Sequence, residues 1–312
     1  MQRALKSTHL GKTLLNCCAA LLLSAQGAVA NADGLAGTGP VPDIVASNYP
    51  LVYFAERLFG SHARVDLPVP PDQDPAFWKP SFPAIALMQK AGLVVLNGAD
   101  YEKWLPKVAL SRLKLVDTSA GFKNSYIVID DAIIHSHGPD GEHSHAGTAF
   151  TTWLDFTQAE QQADALASVA IKKYPGLKTE ITHNLQSLQA DLRQLDDELR
   201  RLVASNQTRP LFASHPVYQY LARRYGLNLK SVHWEANEMP AEDEWKNMQQ
   251  LMKNHHAQWM IWESLPDSPI TERLNSLGIK NAVFDPCANR PEQGDFLSVM
   301  RRNIENLSPV FN

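Results

Sequence analysis

The sequence predicts an α/β protein of two lobes, each built on a parallel sheet, joined by one long helix. Three observations predict it. Short apolar runs of strand length alternate with helical patterns along most of the chain. A single leucine stripe at three- and four-residue spacing interrupts that alternation near the middle. The alternation then starts again and continues to the end.

Residues 1–30 are set apart from this pattern. Arg3, Lys6 and Lys12 form a basic start, Leu14 to Ala25 an apolar core, and Ala28-Val29-Ala30 a small-x-small cleavage site. This is the order of a secretory signal peptide, with an apolar run too short for a stable membrane anchor. Cys17 and Cys18 lie inside that run, and Asn16 before Cys17 fits a lipoprotein signal poorly. A soluble, periplasmic mature chain is expected to begin near Asn31.

A Gly-, Ala- and Pro-rich leader covers 31–42. Ile44–Ala46 follows as a buried-type strand, then a helix around Leu51–Phe59 and a second strand over Val65–Val69. A helix around Ile85–Ala91 leads into Leu93–Asn97, an apolar run of strand length. Residues 135–147 are expected to be a polar loop.

From Thr157 to Ser205 the pattern is helical, broken by Pro175-Gly176. Beyond the break, Leu185, Leu188, Leu192, Leu195, Leu199 and Leu202 mark one stripe on a helix of roughly 30 residues, about 45 Å long. Such a helix can run along two lobes and join them. A coiled-coil dimer is the rival explanation, for which the stripe is short. The second half reads as a strand at Leu211–Ser214, a helix at Val217–Tyr225, and a strand at Leu229–Trp234. A helix at Glu244–Asn254, a strand at Trp259–Trp262, a helix at Ile270–Leu277, a strand at Ala282–Asp285 and a final helix at Phe296–Leu307 complete it. The domain boundaries expected are 1–30 for the signal peptide, 31–175 and 206–312 for the lobes, and 176–205 for the linking helix.

The whole chain carries 29 Lys+Arg against 33 Asp+Glu. Its first thirty residues hold three basic and no acidic residues, leaving 26 against 33, a formal net of −7. Such a chain has no general attraction to nucleic acid or anionic lipid. Only Cys287 remains beyond the signal, so no internal disulfide can form and stability must come from the core.

Two features carry metal chemistry. The run H-S-H-G-P-D-G-E-H-S-H places His135, His137, His143 and His145 within eleven residues, a ligand set suited to zinc, copper or nickel. The Gly and Pro between them point to a mobile scavenging or sensing loop, or to a plain solvated one. Asp140 lies three residues after His137 with no adjoining His, so no metallo-hydrolase H-x-H-x-D-H pattern is present and no enzyme activity is expected. The second feature is a trio at predicted strand ends, where α/β folds place ligands: His215, Glu263 and Asp285. One imidazole and two carboxylates suit zinc or manganese. Each also has a plain structural explanation, a helix cap for His215 or a turn start for Asp285 before Pro286.

The segments V-A-S-N-Y-P-L-V-Y-F-A (Val45–Ala55), N-G-A-D-Y-E-K-W-L (Asn97–Leu105), W-L-D (Trp153–Asp155), S-H-P-V-Y-Q-Y-L (Ser214–Leu221), W-E-S at Glu263, V-F-D-P (Val283–Pro286) and D-F-L-S-V-M-R-R-N (Asp295–Asn303) follow one another in order. Together they resemble the zinc/manganese-binding branch of the periplasmic solute-binding proteins. The resemblance implies two α/β lobes bridged by a long helix, a metal in the ligand cleft between the lobes, an ABC importer permease as partner, and a monomeric receptor that is not an enzyme. It also implies roles for His215 as the third motif's imidazole, Asp285 as the carboxylate after the last strand, and Glu263 as the alternative acid.

Two of the family's imidazoles are absent. Its first motif, D-P-H-x-Y, stands here as Asp74-Pro75-Ala76-Phe77-Trp78, and the His two residues before W-L-D is Thr151. Three repairs are open. His143 or His145 could swing in from the loop, Asp74 could lend a carboxylate, or the ligand could be a chelated metal or an organic molecule. The loop repair is favoured, because the loop leads towards Thr151. Trp78 and Trp153 are expected to wall the cleft. A metal chaperone or sensor that never docks on a permease is the functional rival.

Overall fold

The computed structural model describes residues 42–129, 134–136, 142–144 and 147–312, with 134–136 and 142–144 described by their backbone alone. The expected signal peptide and most of the leader lie outside the described residues. The described residues belong to one unit, Gly39–Asn312.

The first lobe begins with β1 (Asp43–Ala46), α1 (Tyr49–Phe59) and β2 (Arg64–Asp66), followed by α2 (Phe82–Lys90), β3 (Leu93–Leu96) and β4 (Leu115–Asp117). The strands lie in the order β2-β1-β3-β4, all parallel. Leu93–Leu96 is buried throughout, as a sheet covered on both faces requires. Local chemistry sets the helix starts. Asn48 accepts the amide of Leu51 to cap α1, and Ser81 accepts that of Ala84 to cap α2, each followed by proline in the first turn. Two strand expectations change here. β2 stops at Asp66 because Pro68 has no amide hydrogen for a ladder. The three-residue β4, flanked by polar residues, was not expected from the sequence at all.

A two-stranded antiparallel pair, β5 (Val128–Ile129) with β8 (Gly147–Thr148), encloses a second pair, β6 (Ile134–Ser136) with β7 (Glu142–Ser144). The expected loop at 135–147 therefore contains a short ladder, in which His135 pairs opposite His143. His137 and His145 lie outside the described residues.

α3 (Phe156–Lys173) starts on an Asp155 cap that accepts the Thr157 amide and ends before a 3-10 turn at Pro175–Leu177. α4 (Lys178–Ala204) follows with 27 residues, about 40 Å at 1.5 Å per residue. Ile181, Leu188, Leu192, Leu195, Leu199 and Val203 form its buried face, and Leu185 and Leu202 pack beside them. That face is covered by α1, α3 and the last helix of the same chain, which leaves no stripe for coiled-coil pairing.

The second lobe repeats the pattern: β9 (Pro210–Ala213), α5 (Gln219–Tyr225), β10 (Asn228–Ser231), α6 (Glu242–Asn254), β11 (Trp259–Trp262), α7 (Ser268–Ser276), β12 (Lys280–Val283) and α8 (Phe296–Phe311). Its strand order, β10-β9-β11-β12, is again all parallel. β10 ends at Ser231, short of the expected Trp234, and β12 ends two residues before Asp285.

The largest apolar core runs through both lobes and along α4, while separate cores back the outer faces of the two sheets. Trp78 belongs to the outer core of the first lobe, edge-on to Trp104 at 6.1 Å, so it does not wall the cleft. Asp196 on α4 is buried and receives Arg224 Nε and Nη2 (2.8 and 2.6 Å) and the Tyr225 hydroxyl (2.9 Å), which fixes α5 to the linking helix.

Candidate metal centre

Between the lobes lies a cavity of about 760 Å³. The second lobe supplies most of its chemistry. β9 delivers Ser214 and His215, β11 delivers Glu263, the turn after β10 delivers Glu235, and the segment after β12 delivers Asp285. The first lobe supplies Asp74 from the loop after β2, with Phe77, Tyr101, Phe150, Thr151 and Trp153 as wall. Six carboxylates line the cavity (Asp72, Asp74, Glu235, Glu238, Glu263 and Asp285) and one imidazole, His215, with no Lys or Arg among the described lining residues.

His215 is 6 % exposed and bracketed. Its Nδ1 is 3.3 Å from Glu263 Oε1, and its Nε2 is 3.4 Å from Glu235 Oε1. The His233 ring stands perpendicular to it at 6.1 Å. Burial by itself would lower the imidazole pKa. The hydrogen bond and charge of Glu263, with the charges of Glu235 and Asp74, outweigh burial and raise it.

Asp285 is fixed through its backbone. Its amide donates to Asn303 Oδ1 (2.9 Å), and Asn303 Nδ2 donates back to its carbonyl (2.7 Å). Its side chain accepts the Cys287 amide at 2.7 Å. Burial raises its pKa, with Glu263 adding to the shift. Asp74 accepts the Ala76 amide at 2.9 Å; its side chain is open to solvent in the cavity, and the enclosing walls push its carboxyl up to about 6, with the nearby Glu263 and Glu235 charges acting in the same direction. These carboxyls are short of positive charge. A cation entering here would replace proton and water as their counter-charge.

The structure thus brings His215, Glu263, Asp285 and Asp74 to one cavity. It does not bring them into a closed coordination shell. Among the described residues, no three of His, Cys, Asp and Glu stand close enough to hold an ion as they are. The positions of the missing imidazoles differ from each other. Ala76 is packed in the core and is not part of the cavity wall. Thr151 does face the cavity, and its hydroxyl donates to the Val217 carbonyl. The side chains of His135, His137, His143 and His145 lie outside the described residues.

Glu235 was missed from the sequence. The strand-end rule that found His215 and Glu263 applies to it equally, since it follows directly on the run Leu229–Trp234 expected as a strand.

Residues 44–309 match the family described as zinc-uptake complex component A, periplasmic. The high-affinity zinc uptake system protein ZnuA of Bacillus subtilis (strain 168) is 24% identical over 304 residues, covering 92% of this chain and 93% of that protein. The zinc-binding lipoprotein AdcA of Streptococcus pneumoniae is 22% identical over 278 residues, 85% of this chain; the match spans 55% of AdcA. Among solved structures, the metal-dependent lipoprotein YcdH of Bacillus subtilis superposes with a TM-score of 0.72 at 21% identity, over 86% of this chain and 98% of that one. Zn(II)-bound AdcA superposes with a TM-score of 0.71 at 20% identity, over 86% and 57%. These superpositions establish the two-lobed fold with its joining helix. The family match over residues 44–309 does more: the chain belongs to the family of periplasmic zinc-uptake complex component A proteins.

Proposed function

We propose that the protein is the substrate-binding component of an ABC importer for a divalent transition metal, with zinc as cargo. The observation that carries this is the cavity lining, six carboxylates and a buried imidazole without a Lys or Arg among the described residues. Such a lining repels anions and concentrates cations. The imidazole adds the nitrogen donor that distinguishes zinc from calcium or magnesium. The ligand set is His215, Asp285 and Glu263, with Asp74 completing it from the first lobe. Its oxygen content makes manganese a competitor.

The family consists of binding proteins, and the chemistry here is capture and release without covalent change. The ion stabilises the form of the receptor that binds it more tightly, and the permease engages that form. Export through the N-terminal signal and action as a monomer in the periplasm complete the proposal. Among the described residues, no helix is long and apolar enough to cross a membrane.

The test is metal analysis with titration calorimetry on the parent and on a His215→Ala, Asp285→Ala double variant. One tightly held zinc per parent chain is expected, and at least a hundredfold weaker binding in the variant. Equal stoichiometry and affinity in both would place the zinc elsewhere. A chain lacking 135–145 tests the imidazole-rich segment separately, and a loss of zinc affinity is expected if His143 or His145 joins the set.

A further inference from the structure

One side chain joins the segment that carries Asp285 to the loop that carries Asp74. Asn289 lies four residues beyond Asp285, in the segment after β12. Its Nδ2 donates to the carbonyl of Pro70 at 2.7 Å and to that of Gln73 at 2.8 Å. Both carbonyls belong to the loop after β2 in the other lobe, and Gln73 immediately precedes Asp74. Two short, well-formed bonds from one amide use both of its donors on a single loop.

The anchoring is asymmetric. The segment 285–289 is itself fixed. Asn303 holds both backbone groups of Asp285, Trp153 Nε1 donates to Pro286 O at 2.8 Å, and the Tyr49 amide donates to Ala288 O at 2.8 Å. The loop around Asp74 carries several hydrogen bonds within itself, and Ala76 and Trp78 pack its far end into the two cores of the first lobe. Gln73 N donates to Pro70 O, Ala76 N to Asp74 Oδ1, and the Phe77 and Trp78 amides to Asp74 O. Asn289 is therefore the strut by which a rigid segment fixes a locally folded loop.

That loop carries two carboxylates, Asp72 and Asp74, into a cavity that holds four others from the second lobe. Like charges at such a site repel, and with no cation present an unrestrained loop would relax outward. We propose that Asn289 is a positioning residue for the metal: it holds the Asp74 loop against the second lobe, so that Asp74 faces His215 and Asp285 before the ion arrives. This rests on the cavity being the zinc site. Preassembly removes the cost of ordering the loop from the binding step. Partners one step removed from a metal typically change affinity ten- to a hundredfold when deleted, and the same range is expected for Asn289→Ala.

Two measurements on the full chain test it. The first is amide hydrogen exchange of residues 73–78 without metal, in the parent and in Asn289→Ala. Faster exchange confined to this stretch is expected. Unchanged exchange overturns the clasp whether or not zinc binds. The second is a double-mutant cycle for zinc alone, read by competition with a chromophoric chelator, over Asn289→Ala and Asp74→Ala. Asn289→Ala should weaken zinc binding at least tenfold in the parent and less than twofold once Asp74 is gone. A merely structural residue would give the same change in both backgrounds, and that additivity would overturn the assignment. If exchange quickens but the parent holds no zinc at His215, the metal-site reading fails while the clasp itself stands.

Discussion

The two sheets share one topology and use it differently. Both have the strand order in which the chain turns back beside its first strand, β2-β1-β3-β4 and β10-β9-β11-β12. In such sheets the crevice beyond the carboxyl ends of the two central strands is the usual ligand site. In the second lobe, the strands flanking that crevice are β9 and β11, and they lead into His215 and Glu263, which face the cavity. In the first lobe they are β1 and β3, and they lead into Ser47 and Asn97. There the crevice is filled from within. Glu102 accepts the Ser47 hydroxyl and the Asn97 amide, both at 2.6 Å, and the Gly98 amide at 3.2 Å. Asn97 in turn reaches Phe150 O and receives Thr152 and Gln162. A fully enclosed carboxylate thus serves structure in one lobe, while half-buried ones open onto the cavity in the other. Topology nominates a site, and the side chains decide whether it stays open.

That contrast predicts opposite phenotypes for two residues. Glu102→Ala strands buried donors at Ser47 and Gly98, so a loss on the order of 2–4 kcal/mol in urea unfolding is expected, with one zinc still bound. His215→Ala should do the reverse. Zinc binding weakens at least a hundredfold, about 2.7 kcal/mol, while the urea midpoint of the metal-free chain stays near the parent's. Loss of zinc in the folded Glu102→Ala chain would show that the first crevice also serves the ligand.

Glu102 also sets a pH dependence. Burial raises its carboxyl to about 7, partly offset by the Ser47, Asn97 and Gly98 donors. The folded state then holds this proton more tightly than the unfolded chain does. Its contribution to stability is full below the ordinary glutamate value of 4.5, declines as pH rises towards 7, and is flat above. Parent stability measured relative to Glu102→Gln should therefore fall between about pH 4.5 and 7. A flat difference would mean that the carboxyl titrates normally.

Much of this was legible in the sequence, and unevenly so. The fully apolar runs Leu93–Leu96 and Trp259–Trp262 announce themselves by unbroken hydrophobicity, and the leucine stripe on α4 by its period. β4 does not, because three residues carry no period. His215 and Glu263 were found because a strand end is a geometric landmark. Glu235 escaped although the same landmark pointed to it, and Asn289 escaped because nothing in the spacing shows that its amide meets two carbonyls more than two hundred residues away. Ala76 and Thr151 look equivalent as missing ligands. Only the fold shows that the first is core and the second is cavity wall.

That difference allows the contrast between the lobes to be engineered away. Thr151→His places an imidazole on the wall of the first lobe. It loses the hydroxyl bond to Val217 O, costing about 1 kcal/mol of stability. Zinc affinity should rise about tenfold, and manganese affinity much less, because the added donor is nitrogen. Ala76→His should gain nothing and lose about 1–3 kcal/mol through overpacking, since Ala76 is only 2 % exposed. Calorimetry with each metal separates the two variants. An affinity gain from Ala76→His alone would mean that the loop around Asp74 can turn its core face to the cavity.

The smallest effects expected sharpen the second lobe itself. Glu235 and Glu263 bracket the His215 ring at nearly equal distances, 3.4 Å from Nε2 and 3.3 Å from Nδ1. Ring nitrogens point away from each other, so one ion cannot occupy both sides. Once a metal takes one nitrogen, the other carries the proton and keeps its carboxylate as an orienting partner. Glu235→Gln and Glu263→Gln preserve shape and remove charge; the one that only orients the ring should weaken zinc binding three- to tenfold, and the one that ligates more. Nitrogen-15 spectra of the histidine-labelled chain then tell the roles apart. Zinc should shift one nitrogen of His215 strongly and leave the other protonated. The glutamate beside the shifted nitrogen is the ligand, and the one beside the proton is the support. If zinc shifts neither nitrogen, His215 is not a donor and the second lobe holds the ion by oxygen alone.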